Sequence, residues 1–128
     1  MEIIKCLEKS GIIKKYDILV FEIFEGGFYI KIRALLINDS ELYIREYSDV
    51  HERNYSYHWQ DLNRQLLMRW DNAGHHKHIE THPHHVHHGN DILPSYPKRC
   101  IKSEADMLKN PAKAIKFYSD THDCTFNL

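Results

Sequence analysis

The sequence has few cysteines, no long apolar run and no excess charge of either sign. Its three cysteines, Cys6, Cys100 and Cys124, lie far apart and form no CxxC pair. They predict free thiols in a reducing compartment, not a disulfide framework or a thiolate zinc site. The apolar runs are too short to span a membrane, and the first eleven residues lack the apolar core of a signal peptide. We therefore expect a cytoplasmic protein with no membrane partner.

The size and charge of the chain restrict its class further. Its 128 residues include 17 Lys and Arg against 18 Asp and Glu, so any nucleic-acid binding must come from a local patch of positive charge. A hydrophobic content of 42% and a charged content of 27% are ordinary for a globular protein and argue against disorder. The length predicts one domain over residues 1–128, with one core.

Histidine is the residue that the chain has in excess. Eight of the eleven histidines lie between His75 and His88. The cluster is internal and interrupted by other residues, whereas an expression tag is an unbroken run at a terminus. Because the unperturbed pKa of histidine, about 6.5, is close to neutrality, the side chain can serve as acid, base or metal ligand. The cluster therefore indicates a functional site.

Alternating apolar and polar residues predict five strands joined by tight turns. The first strand begins at Tyr16, and the Gly26-Gly27 pair makes a hairpin turn to the second, which covers residues 28–37. Three more strands are expected at Leu42–Tyr47, Arg53–Gln60 and Leu66–Asp71. Consecutive strands with short turns favour an antiparallel meander.

Beyond the fifth strand the pattern is less regular. A short extended piece at His84–His88 would point His85 and His87 to one side, because side chains alternate along an extended chain. Residues 91–97, with two prolines, predict a connector.

Helices are expected only near the two ends of the chain. Residues 2–10 predict a short helix, whereas Ser103 and the Asn110-Pro111 pair resemble helix starts. The predicted fold is α+β: a five- or six-stranded antiparallel meander sheet with a short N-terminal helix and one or two C-terminal helices.

The two faces of this sheet differ in character. One face is predicted to form the core, from Ile30, Ile32, Ile44, Tyr57, Trp59, Met68 and Trp70. The other face would carry a basic stripe with a histidine among its members: Lys31, Arg33, Arg45, His58 and Arg69. An ordinary solvated sheet face also carries long cationic side chains, and a one-residue slip in register would exchange the two faces of a strand.

Four segments in order resemble the TumE-like toxin family of prokaryotic toxin–antitoxin pairs. They are Arg45-Glu46-Tyr47, Tyr55–Gln60, Arg69–His76 and His82–Gly89. The resemblance covers about residues 16–108. It implies a small cytoplasmic toxin that is neutralised by a cognate antitoxin, typically a helix-turn-helix protein; whether the toxin is a monomer or a homodimer is left open.

Two positions depart from the pattern of that family. Gly74 stands where proline often precedes the paired histidines, which implies a looser loop. Val86 stands where a lysine is expected between histidines, so a role in binding phosphate at that position is in doubt.

The first functional hypothesis is a metal-independent ribonuclease that needs no cofactor. Cleavage by the 2′-hydroxyl requires a base, an acid and cations around the phosphate. Histidines can supply the first two, and the arginine fork suits phosphate. The candidate catalytic residues are His58, Arg45, Arg69, His75, His76, His84 and His85. The candidate RNA-binding residues, which would stack on bases or bind phosphates, are Arg33, Tyr47, Tyr57, Trp70 and Lys31.

Two other hypotheses stay open. The HxH pairs could hold zinc or nickel through His76, His78, His85 and His87, and a metal-bound water would then attack a phosphoester. Alternatively, the chain is a non-catalytic module that binds RNA or protein, because the fold alone does not determine the function.

Overall fold

A computed structural model describes residues 2–95, as one short helix and seven strands. The elements are α1 Glu2–Lys9, β1 Ile13–Phe24, β2 Gly27–Leu36, β3 Glu41–Ser48, β4 Arg53–Gln60, β5 Leu66–Asp71, β6 His85–His88 and β7 Asp91–Pro94. The helices predicted at Ser103 and Asn110 lie outside the described residues. No helix in the described part of the chain is long and apolar enough to span a bilayer.

The strands form one sheet in chain order, β1 to β7, with every neighbouring pair antiparallel. The meander prediction is confirmed, and the bounds of β4 and β5 are those predicted. The predicted number of strands was wrong, because the sheet has seven strands and not five or six. The segment that forms β7 was predicted to be a connector, but it is an edge strand that pairs with β6 only. Pro94 is the last residue of this strand, where the missing N–H of proline is tolerated. The first strand also begins earlier than predicted, at Ile13 instead of Tyr16.

The core lies on the predicted face of the sheet. Residues of β2, β3, β4 and β5 that alternate along each strand are almost fully buried there, among them Ile32, Ile44, Tyr57, Trp59 and Trp70. Leu7 of α1 and Ile12 are buried in the same cluster. The indole Nε1 of Trp59 donates a hydrogen bond to Ser40 Oγ at 2.9 Å, which satisfies its one polar group inside the core.

The opposite face carries two neighbouring rows of polar side chains that run across the strands. The first row is Arg33, Tyr43, His58, Arg69 and His87, each directly opposite the next on the adjacent strand. The second row is Lys31, Arg45, Ser56, Asp71 and His85. The register therefore places every residue of the predicted basic stripe on one face, and it extends that face to the histidines of β6.

Candidate active site

His58 and Arg69 form the centre of the first row. They are directly opposite each other on β4 and β5, and Arg69 Nη1 lies 3.3 Å from His58 Nδ1. The other ring nitrogen, His58 Nε2, is 3.2 Å from the side-chain oxygen Oε1 of Gln60. Since a guanidinium only donates and an amide oxygen only accepts, this geometry fits a neutral imidazole protonated at Nε2.

The surroundings of His58 favour that neutral form. Burial lowers the pKa of His58, the charge of Arg69 lowers it further, and the hydrogen bond to Gln60 offsets part of the change. A histidine that stays neutral at neutral pH can accept a proton from a substrate.

Asp71, in the second row, contacts side chains of both rows. Its side chain is only 7% exposed, and its Oδ2 accepts from Arg69 Nε at 3.0 Å. The other oxygen, Oδ1, accepts from the backbone N–H of Ala73 at 3.0 Å, in the turn that follows β5. The same carboxylate faces two imidazoles: His85 Nε2 lies 3.0 Å from Oδ1 and His87 Nε2 lies 3.6 Å from Oδ2.

His85 is held in one orientation by its own backbone neighbourhood. It is almost fully buried, and its Nδ1 lies 2.9 Å from the carbonyl oxygen of Pro83. A carbonyl can only accept, so Nδ1 carries a hydrogen and Nε2 is the nitrogen that faces the site. That Nε2 is 3.0 Å from His87 Nε2, and the two rings meet at 73°.

The loop between β5 and β6 brings a third imidazole, that of His76, to the same place. The ring centroid of His76 lies 4.8 Å from that of His85 and 5.5 Å from that of His87. The loop is built of short turns, including a hydrogen bond from Ile79 N to His76 O at 3.2 Å. Because the side chain of Ile79 is buried, it anchors the loop that positions His76.

The pKa values of the two accessible members of this cluster are lowered. For His87, burial is the main cause, and the charge of Asp71 acts in the opposite direction. For His76, burial is again the first cause, followed by the neighbouring imidazoles of His85, His78 and His75. Both rings are therefore favoured in the neutral form, which can accept a proton or bind a metal ion.

The structure separates the adjacent histidines His75-His76 and His84-His85, all four of which were predicted to be catalytic. His84 precedes β6, and its Nδ1 lies 2.9 Å from the hydroxyl of Tyr55, on which its ring also stacks. Tyr55 is a core residue, so His84 is engaged with the other side of the sheet, away from Asp71. His75 is exposed and is not among the imidazoles gathered at His85 and His87. His78 contacts His76 edge-on but lies outside the group of three that converge.

The prediction that Tyr57 and Trp70 stack on RNA bases is wrong. Tyr57 is 2% exposed and Trp70 is 0% exposed, so neither ring has a face that a base could contact. Both side chains are on the core face because β4 and β5 alternate in register with the core. Tyr47 is on the polar face, where it stacks with Phe24 and donates a hydrogen bond to Asp49 Oδ2 at 2.8 Å.

The predicted phosphate-binding cations differ in how well they are neutralised. Arg33 pairs with Glu41 at 2.5 Å, which offsets its charge. Lys31 and Arg45 lie directly opposite each other on β2 and β3, and neither forms an ion pair with another residue in the 2–95 range. Two adjacent positive charges without a carboxylate partner favour an anionic ligand.

Reasoning from the sequence missed Asp71 and Tyr43. Asp71 was expected only as the last residue of a strand, with no role in the site. The signal was available, because an Arg-Trp-Asp sequence in a strand puts Arg69 and Asp71 on one face. Tyr43 is directly opposite both Arg33 and His58, a position that only the pairing of strands reveals.

Comparison with known proteins gives one match. A family model described as "Toxin TumE" matches residues 3–115, which is most of the chain. No match was found among curated proteins or among solved structures.

Proposed function

Because this chain belongs to the TumE toxin family, we propose that it acts in the cytoplasm as an endoribonuclease whose catalysis depends on histidine. One observation supports the proposal above others: in a single row across the sheet, Arg69 lies between His58 and His87. Neighbouring strands are about 4.8 Å apart, so the two histidine backbones are about 10 Å apart. A phosphodiester over Arg69 would have an imidazole on each side.

The roles follow from the chemistry of RNA cleavage. His58, neutral because its pKa is lowered, takes the proton of the ribose 2′-hydroxyl at Nδ1 when Arg69 Nη1 turns from that nitrogen to the phosphate, and the 2′-oxygen attacks phosphorus. Arg69 donates to the phosphate oxygens as negative charge increases. The cluster supplies the acid through His87, its member in the row: the protonated form of His87, which burial disfavours but the Asp71 carboxylate stabilises, protonates the departing 5′-oxygen. The products are a 2′,3′-cyclic phosphate and a free 5′-hydroxyl.

The rest of the polar face suits a single-stranded RNA backbone. Lys31 and Arg45 are adjacent to the row and lack carboxylate partners within residues 2–95, so they are placed to bind flanking phosphates. Tyr43, next to His58, is half-buried and offers an aromatic ring that a base could contact.

Membership of a toxin family implies a cognate antitoxin. We propose that this partner is a helix-turn-helix protein and that it neutralises the toxin by direct binding. A complex between the two purified proteins that no longer cleaves RNA is the expected result.

The experiment that tests the function uses two short RNAs of one sequence. The first is unmodified, and the second carries 2′-deoxyribose at the cleaved position. We expect cleavage of the first only, in the presence of EDTA, with a cyclic phosphate as product. Cleavage of both would contradict attack by the 2′-hydroxyl, and cleavage that occurs only without EDTA would favour hydrolysis by a metal-bound water. RNA binding without cleavage would contradict an enzyme and favour a binding module.

A further inference from the structure

We propose that His76, His85 and His87 form a binding site for a divalent transition-metal ion of the zinc class, with the Asp71 carboxylate beside it. One nitrogen from each imidazole lies within 4.8 Å of the others. Among residues 2–95, these three histidines are the one group of at least three possible metal ligands that converge in this way. The ligands come from two elements, β6 and the loop before it, and that loop is anchored by Ile79.

The orientation of His85 is the strongest argument. Its Nδ1 hydrogen is donated to the Pro83 carbonyl at 2.9 Å, so in the neutral ring the lone pair of Nε2 points into the cluster. There it meets His87 Nε2 at 3.0 Å and Asp71 Oδ1 at 3.0 Å. A lone pair facing a carboxylate oxygen is unfavourable unless a cation, either a proton or a metal ion, lies among these atoms. A backbone carbonyl that fixes the tautomer of a histidine ligand is a recurrent feature of metal sites.

The spacing and the ligand types point to zinc or a similar ion. In a tetrahedral site with bonds of about 2.0–2.1 Å, ligand nitrogens are about 3.3 Å apart, so small side-chain movements would complete the geometry from the contacts observed. Imidazole nitrogens with one carboxylate suit Zn²⁺ and Ni²⁺, whereas Mg²⁺ and Ca²⁺ prefer oxygen ligands.

The charge beside the cluster and its access to solvent support binding of a cation. Asp71 supplies a negative charge, and Arg69 Nε holds its Oδ2 at 3.0 Å as an outer partner would. His85 is buried, but the His87 side chain is 27% exposed, which leaves a route for the ion.

The site has a consequence for activity that rests on the proposed function. A bound metal ion would occupy the lone pair with which His87 takes and delivers a proton, and it would place positive charge beside Arg69. Zn²⁺ is therefore expected to inhibit RNA cleavage, and a chelator to restore it.

The test measures binding first and cleavage second. The full chain is dialysed against a chelator and titrated with ZnCl₂ by calorimetry, beside His76→Ala, His87→Ala and Asp71→Asn. The control is His51→Ala, which removes an exposed histidine in the turn between β3 and β4. We expect one site per chain, weakened at least tenfold in both histidine variants and less in Asp71→Asn, with the control unchanged. Melting curves without metal confirm that each variant is folded.

The outcomes separate the metal site from the proposed function. Weak binding of several ions that is the same in all variants would be adventitious and would overturn the site, while EDTA-resistant cleavage would leave the function standing. One specific site with zinc-dependent activation would support the site and contradict histidine acid–base cleavage. One specific site with zinc inhibition supports both.

Discussion

The two faces of the sheet use the same strands for different purposes. On β4, Tyr55, Tyr57 and Trp59 are buried in the core, whereas the residues between them, Ser56 and His58, are half-buried on the polar face. On β6, Val86 joins the core while His85 and His87 face Asp71. Alternate residues of one strand therefore contribute to the stability of the fold and to the chemistry of the site. Substitutions at neighbouring positions should affect one of these properties and not the other.

The largest effect is expected on the core face. Trp59→Ala removes a fully buried side chain and its hydrogen bond to Ser40, and it should lower the free energy of unfolding by about 3–5 kcal/mol. Urea denaturation followed by circular dichroism measures this. A loss below about 1 kcal/mol would show that this face is not the core.

Arg69→Lys addresses the polar face without removing its charge. Lysine cannot contact His58 and Asp71 at once with a planar fork, as Arg69 does. We expect cleavage to fall by about 10²–10³-fold, as when one donor to a developing charge is lost. The melting temperature should change little. Cleavage at the normal rate would show that positive charge alone is sufficient at this position.

His84→Ala tests whether neighbouring histidines have different roles. The substitution removes the partner of a core tyrosine hydroxyl, and it should cost about 1–3 kcal/mol of stability. Cleavage at a temperature where the variant is folded should fall far less than in His87→Ala. Equal losses of activity in the two variants would contradict the assignment of His84 to the core side of the sheet and of His87 to the polar face.

The smallest effect concerns pH. Because the pKa of His58 is lowered in the folded protein, the unfolded chain binds a proton at this residue more readily. No contribution is expected well above the ordinary value of about 6.5, and stability should decrease as the pH falls through that value toward the folded-state pKa. The groups facing His58 across the strands are Tyr43 and Arg69.

Melting temperatures of the wild type and of His58→Gln between pH 8 and pH 5 measure this contribution. The variant should lose less stability than the wild type over the acidic part of the range. Parallel curves would show that the pKa of His58 is not lowered by burial and by Arg69 in the folded protein.

Local periodicity predicted the parts of the fold in which the side chains alternate cleanly. The bounds of β4 and β5 and the side to which His85 and His87 point all follow from the period of two in an extended chain. β7 was missed because Pro94 and Pro97 argue for a connector, and only the pairing with β6 shows that a short edge strand tolerates a proline at its end.

The site required information that is not local. His76 reaches His85 and His87 because the Ile79 turn folds the loop over β6, and the spacing of histidines in the sequence cannot show this. The same spacing could not separate His84 from His85. Asp71 becomes important only when β5 pairs with β6 and two imidazoles meet its carboxylate.

The most direct test of the central claim is RNA cleavage by His58→Ala with EDTA present, compared with His51→Ala. Both variants lose one histidine, but only His58 contacts Arg69 in the row. We expect His51→Ala to cleave at the wild-type rate and His58→Ala, still folded, to be slower by about 10²–10⁴-fold. Equal rates for the two variants would contradict a site built on His58 and Arg69.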